Sequence, residues 1–206
     1  WVSDAAVSMT DAATTFTLHG PDAERIEASC PLPGLVNVQN AALALVMALR
    51  AGVPAGTAVT ALAGAHNIPG RMQRISRRDG VRGTCIVDFA HTPDAMELAL
   101  KAVRQITPGR LIVVFGSDGD RDQGKRPMLG AIAARLADVL VVTDENPRSE
   151  DPQTIRDAVL AGVRSVRPDM RDVEEITTWR GDAVRRGVEL CGPQDTVIVT
   201  GKGHEP

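Results

Sequence analysis

Three apolar runs rich in β-branched residues, at 84–89, 111–115 and 139–143, begin about 27 residues apart, and a fourth occupies 196–200. That interval is close to the ~30-residue period of a strand–helix–strand unit, which joins parallel strands by a crossover helix. The runs are too continuously apolar to alternate between core and solvent, as strands covered on both faces are. The intervening stretches carry helix signals. Thr92-Pro93 and Asp151-Pro152 each pair a capping side chain with proline at the first helical position. In 126–136, Met128, Leu129, Ile132 and Leu136 recur at helical spacing. A weak strand is expected at 172–176 and a helix at 179–190, ahead of the last strand. The expected fold is therefore α/β: a Rossmann-like, mostly parallel sheet with flanking helices.

The first third of the chain reads differently. Short alternating runs at 6–9, 14–18 and 25–28, separated by Asp11 and Gly20-Pro21-Asp22, predict antiparallel strands. A helix is expected from about 36 to 50, with Gly52 near its end, and a shorter one over 55–64. The run 41–49 contains only apolar residues, so the first helix is expected to be buried. Asn37 suits a cap, whereas Asn40, one turn in, is a poor helix former needing another reason. Three short strands and two helices make a thin core, so this part is expected to be the end of a larger domain. The break at 66–71 divides the chain into an expected 1–67 and 68–206.

Composition excludes several classes. The net charge of −3 and 2% aromatic content, with no tyrosine, provide neither a cationic footprint nor stacking platforms for nucleic acid. No apolar run approaches the ~18 residues of a membrane span. Cys30, Cys85 and Cys191 form no CxxC pair, Cys85 reads as a small buried hydrophobe, and a cytoplasmic protein is expected. No HxH or HExxH spacing supports a metal site.

Charged and glycine-rich loops follow the strand ends at 88–93, 116–126, 144–148 and 201–205. In a parallel sheet such loops share one edge, where ligands bind. Arg148 on one loop and Glu205 on another would suit a zwitterion such as the amino-acid end of a small molecule. The segment 119–126 is nearly a Walker A loop, but Arg126 stands where Mg²⁺ requires a Ser or Thr hydroxyl, so no phosphate loop is assigned. The glycines there are read instead as bringing Arg121 into the pocket. Asp88 could accept ribose hydroxyls or cap the next helix; His91 could meet a phosphate or cap locally.

At these positions the chain resembles the Mur ligases. Residues 88–96 stand where that family has DYAHTPDAL, 115–127 where it has FGxGGDRDxGKRP, 144–148 where it has DDNPR, and 201–205 match GKGHE. Upstream, 32–40 match LPGxxNVxN and 70–72 match GRM, so the resemblance runs the length of the chain in order. Departures are Phe89 for Tyr, Ser117 and Asp118 for small residues, and Glu145 for the second Asp of DDNPR.

The resemblance implies an ATP-dependent amide ligase of three domains. It makes 1–67 the end of the central ATP-binding domain and 68–206 the amino-acid-binding domain. Asn40, Arg71, Asp88 and His91 correspond to nucleotide-contacting positions. Arg121, Asn146, Arg148, Gly201 and Glu205 correspond to the pocket for meso-diaminopimelate. The implied substrates are ATP, UDP-MurNAc-dipeptide and diaminopimelate, handled by a monomer that uses Mg²⁺. The phosphate loop, the metal ligands and the carbamylated lysine are expected ahead of Trp1, so this chain is expected to hold no catalytic residue. Two alternatives compete: a Rossmann-like module that binds an amino acid or nucleotide without chemistry, and a lysine-adding or folylpolyglutamate-type relative.

Overall fold

The computed structural model of the protein describes residues 1–8, 13–66, 68–76 and 80–203. They form two compact units, Trp1–Ile68 and Pro69–Pro206.

In the first unit, strands β1 (Val2–Val7), β2 (Thr14–His19) and β3 (Arg25–Cys30) make an antiparallel sheet in that order, followed by helices α1 (Leu35–Arg50) and α2 (Ala55–Ala63). One sheet face supplies Phe16, Leu18, Ala28 and Cys30 to a core that α1 meets with Val38, Ala41, Ala42 and Leu45. Those four helical residues lie on one stripe. Contrary to expectation, α1 is not buried all round in this unit: Leu43 and Met47 are 61% and 64% exposed. Asn37 does not cap either. Gly34 occupies the N-cap, and the Asn37 side chain donates back to the Pro33 carbonyl at 2.7 Å.

The second unit holds a six-stranded sheet in the order β4 (Gln73–Ser76), β5 (Thr84–Asp88), β9 (Thr196–Thr200), β6 (Leu111–Phe115), β7 (Val139–Thr143), β8 (Val173–Ile176). Only β4, which the pattern of the sequence does not announce, runs antiparallel to its neighbour. The expected α/β fold is thus the observed one. Helices α3 (Pro93–Arg104), α4 (Lys125–Leu136) and α5 (Pro152–Val166) connect β5, β6, β7 and β8, always stepping in one direction. Right-handed crossovers then put all three on one face. The chain reverses once, through α6 (Arg180–Leu190), and inserts β9 between β5 and β6. Reversal places α6 on the other face, where Ala183 packs with Ile112, Val114, Val141 and Val197.

Both faces are therefore covered, which explains why β6 and β7 are buried along their whole length. Thr92 and Asp151 cap α3 and α5 as expected, accepting from the Ala95 and Gln153 amides. In α4, Leu129 and Ile132 are buried but Met128 is 54% exposed. Helices α4 and α5 approach backbone to backbone: a Cβ on Gly162 would sit 1.9 Å from the Pro127 oxygen, and one on Gly130 2.0 Å from the Val159 oxygen. The single reversal of winding at β9 makes a switch point, and the carboxyl edge there is where open α/β sheets take ligands.

Candidate functional site

At the β5 corner, the Asp88 carboxylate is a backbone clamp. One oxygen accepts from the Met72 amide at 2.7 Å and the other from the Ala90 amide at 2.8 Å. Its main-chain oxygen accepts from Gly201 N–H at 3.1 Å. Capping is left to Thr92. Burial pushes the Asp88 carboxyl above its ordinary range, against the pull of those two amides and of Arg71. Gly70 completes the corner. Its oxygen accepts from Phe89 N–H at 2.7 Å, and a Cβ on it would lie 2.6 Å from the Gly203 carbonyl carbon. Residues 70–72, 88–91 and 201–203, three separate motifs, thus meet at one point.

On this frame Arg71 is exposed, its guanidinium carbon 5.1 Å from the centre of the Phe89 ring. The His91 ring tilts against Phe89 at 4.6 Å, with Nδ1 3.0 Å from the Phe89 oxygen. Phenylalanine in place of tyrosine keeps the aromatic face that Arg71 uses. Lys125 ties the neighbouring loop in, donating from Nζ to the His91 oxygen at 3.1 Å with Asp118 4.0 Å away. It is 8% exposed.

At the β6–β7 corner, Glu145 stands two residues beyond the fully buried β7 and is itself only 9% exposed. Gly201 holds φ at 90°, a conformation that side chains rarely adopt, and a Cβ there would lie 2.6 Å from the Glu145 carboxylate. Burial, then the nearby Asp118 charge, raises the Glu145 carboxyl to about 7, against Arg180, Lys125 and Lys202. Arg180 spans the edge, donating to the Asp144 oxygen at 3.1 Å and the Thr200 oxygen at 2.5 Å. Asp144 pairs with Arg156, which is 5% exposed and also donates to Glu175 at 2.8 Å. A cleft of about 490 Å³ opens on the α6 face, floored by Val87, Val184 and Val199 and walled by Trp179, Lys202 and Glu145.

The loops after β6 and β7 are fastened to each other. Gly119 N–H donates to the Asn146 oxygen at 2.8 Å, and Asp120 accepts from the Ser149 amide and hydroxyl at 3.1 and 2.7 Å. Arg121 and Arg148 flank that last pair, and both are exposed. Of the residues expected at a ligand, Arg71, Asp88, His91, Arg121, Asn146, Arg148 and Gly201 all stand on this edge, and Asn40 is an exposed residue of α1 in the first unit. Glu205 and His204 lie outside the described residues. Sequence reasoning did not single out Lys125, Arg126, Glu150 or Arg180 as the frame of the edge, and it noted Glu145 only as a departure. No local signal marks Glu145: Asp144, directly after β7, stays partly exposed, and Glu145, one residue on, is the acid that turns inward. Among the described residues no three His, Cys, Asp or Glu side chains converge for a metal, and no helix is long and apolar enough to cross a membrane.

Residues 70–203 match the family model for Mur ligase, glutamate ligase domain. The chain belongs to the Mur ligase family. It is 46% identical over 199 residues to UDP-N-acetylmuramyl-tripeptide synthetase of Leifsonia xyli subsp. xyli, covering 94% of this chain and 38% of that protein. It is 43% identical over 192 residues to the UDP-N-acetylmuramoyl-L-alanyl-D-glutamate–2,6-diaminopimelate ligase of Streptomyces avermitilis, covering 93% of this chain and 38% of the relative. A solved structure of a ligase with the latter name shares 34% identity at a TM-score of 0.65, over 99% of this chain and 40% of that one. The UDP-N-acetylmuramate–alanine ligase of Thermotoga maritima, 16% identical at a TM-score of 0.76 over 98% of this chain and 42% of that one, shares the fold. The chain thus spans about 38% of the length of these two curated Mur ligases.

Proposed function

We propose that this chain forms the amino-acid-binding part, and the end of the ATP-binding central part, of a ligase that joins meso-diaminopimelate to UDP-MurNAc-L-Ala-D-Glu in the cytoplasm. The observation that carries the reading is the pair of tied loops presenting the exposed Arg121 and Arg148 on either side of the Asp120–Ser149 contact. In the reaction, ATP phosphorylates the D-Glu carboxyl; the diaminopimelate amine attacks the acyl carbon, and phosphate leaves. The residues of this chain bind and orient. Arg148 grips the far carboxylate of diaminopimelate by two parallel hydrogen bonds, a geometry a lysine could not supply. Arg121 and Asn146 help to position it, Glu205 takes the neighbouring ammonium, and Gly201 lets the backbone close on the ligand. Asn40, Arg71, Asp88 and His91 contact ATP. No residue of this chain is assigned to Mg²⁺ or to a catalytic step, and the ligase works as a monomer.

The test is product formation. The full-length ligase with ATP, Mg²⁺, UDP-MurNAc-L-Ala-D-Glu and meso-diaminopimelate makes UDP-MurNAc-tripeptide. The 206-residue chain alone makes none, because it carries no Walker A loop. Tripeptide from the chain alone, or none from the full-length protein, contradicts the reading.

A further inference from the structure

We propose that Arg126 and Glu150 are positioning residues: their ion pair sets the spacing at which Arg121 and Arg148 meet a carboxylate-bearing amino acid. The inference rests on the amino-acid pocket described above and adds residues to it.

Arg121 and Arg148 sit on exposed loops, where long side chains ordinarily wander. Each is instead rooted beside a fixed atom. Glu150 Oε1 is the node: it accepts from the Asp120 amide at 2.5 Å and from Arg126 Nη2 at 2.7 Å. Asp120 in turn holds Ser149 through two bonds, so Arg121 follows one member of the pair and Arg148 precedes the other. Glu150 N–H closes its own turn on the Pro147 oxygen at 3.0 Å. Arg126 holds its own loop as well, donating to the Asp118 oxygen at 3.2 Å.

Two details separate this arrangement from ordinary packing. First, Asp120 and Arg148 both hold φ at 53°. Left-handed backbone costs a non-glycine residue about 1–2 kcal/mol, and here it occurs at the two residues that aim the guanidinium groups. Second, Arg126 is 2% exposed, and its Nε is buried without a partner among the described residues. A buried ion pair contributes little net stability compared with apolar residues of the same size. What this one fixes is the register between two loops. A bidentate grip on a carboxylate depends on that register, since a displacement on the order of 1 Å forfeits the aligned geometry.

Steady-state kinetics of the full-length ligase test the proposal. Glu150→Gln should raise KM for diaminopimelate about tenfold, the scale of a lost charged hydrogen bond, and leave KM for ATP within about twofold. Ser149→Ala, an exposed change that the fold tolerates, should raise KM for diaminopimelate about threefold with the same selectivity. The double variant Arg126→Leu/Glu150→Leu separates positioning from stability. An apolar pair should recover the wild-type melting temperature while KM for diaminopimelate stays raised. Equal changes in both KM values, or no change in Glu150→Gln and Ser149→Ala, overturn the proposal. Arg148→Ala distinguishes the two levels. If it raises KM for diaminopimelate while the Glu150 and Ser149 variants do not, only the positioning role fails. If it leaves that KM unchanged, the amino-acid pocket fails and this proposal with it.

Discussion

Glu145 offers a quantitative test of how the edge of the sheet is built. It stands 9% exposed between the Asp118 carboxylate and the cations of Arg180, Lys125 and Lys202, with its carboxyl raised from 4.5 to about 7. In the unfolded chain the same group ionises near its ordinary value. Between about pH 4.5 and pH 7 the folded protein therefore holds a proton that the unfolded chain has released, and stability falls as pH rises through that window. Below it the carboxyl is neutral in both states and costs nothing; above it the cost is complete. At about 1.4 kcal/mol for each pH unit of displacement, the full penalty is about 3 kcal/mol. Glutamine at 145 has nearly the same shape and does not ionise. Glu145→Gln should then match the wild-type chain near pH 4.5 and exceed it by about 3 kcal/mol near pH 8. Urea unfolding of the 206-residue chain, followed by circular dichroism at several pH values, measures the difference directly. A stability difference that is flat with pH, or that grows toward acid, would refute the argument that burial holds this carboxyl up.

Two further outcomes follow from the same structure. Gly162→Ala puts a Cβ 1.9 Å from the Pro127 backbone oxygen and must push α4 from α5; a loss of about 1–3 kcal/mol is expected by thermal unfolding, and an unchanged melting temperature would contradict the close approach. Asp88→Ala strands the Met72 and Ala90 amides, so the chain should lose stability by about 1–3 kcal/mol for each. In the full-length ligase the same substitution should raise KM for ATP more than KM for diaminopimelate, and the reverse ranking would show the pocket to be misassigned.

The sequence announces those parts of the fold where physical signals are strong. β6 and β7 are legible because strands covered on both faces must be apolar throughout, and α3 and α5 because Thr92-Pro93 and Asp151-Pro152 combine a cap with a proline that fits only a first turn. β4 is not legible: four residues, Gln73-Arg74-Ile75-Ser76, on an antiparallel edge need neither apolar continuity nor alternation. The run 41–49 misleads in the other direction, since periodicity alone does not say which side of an apolar helix its unit covers. In the site, the four loops can be placed from the strand pattern. The buried ionic frame cannot. Lys125 and Arg126, at the start of α4, stand in one highly charged stretch with Arg121, yet the first two turn inward and Arg121 outward. Partners distant in sequence, the His91 oxygen and Glu150, decide that difference.

If Arg148 selects a ligand with a second carboxylate, kcat/KM for meso-diaminopimelate and for lysine in the full-length ligase, with and without Arg148→Ala, will reveal it. A site built around a bidentate guanidinium rejects a ligand lacking its partner by roughly 10⁴-fold or more, because the charge is left unpaired when the site closes. A preference of that order is expected in the wild-type enzyme, with most of it lost in Arg148→Ala. Comparable efficiencies for lysine and diaminopimelate in the unmutated enzyme would contradict it.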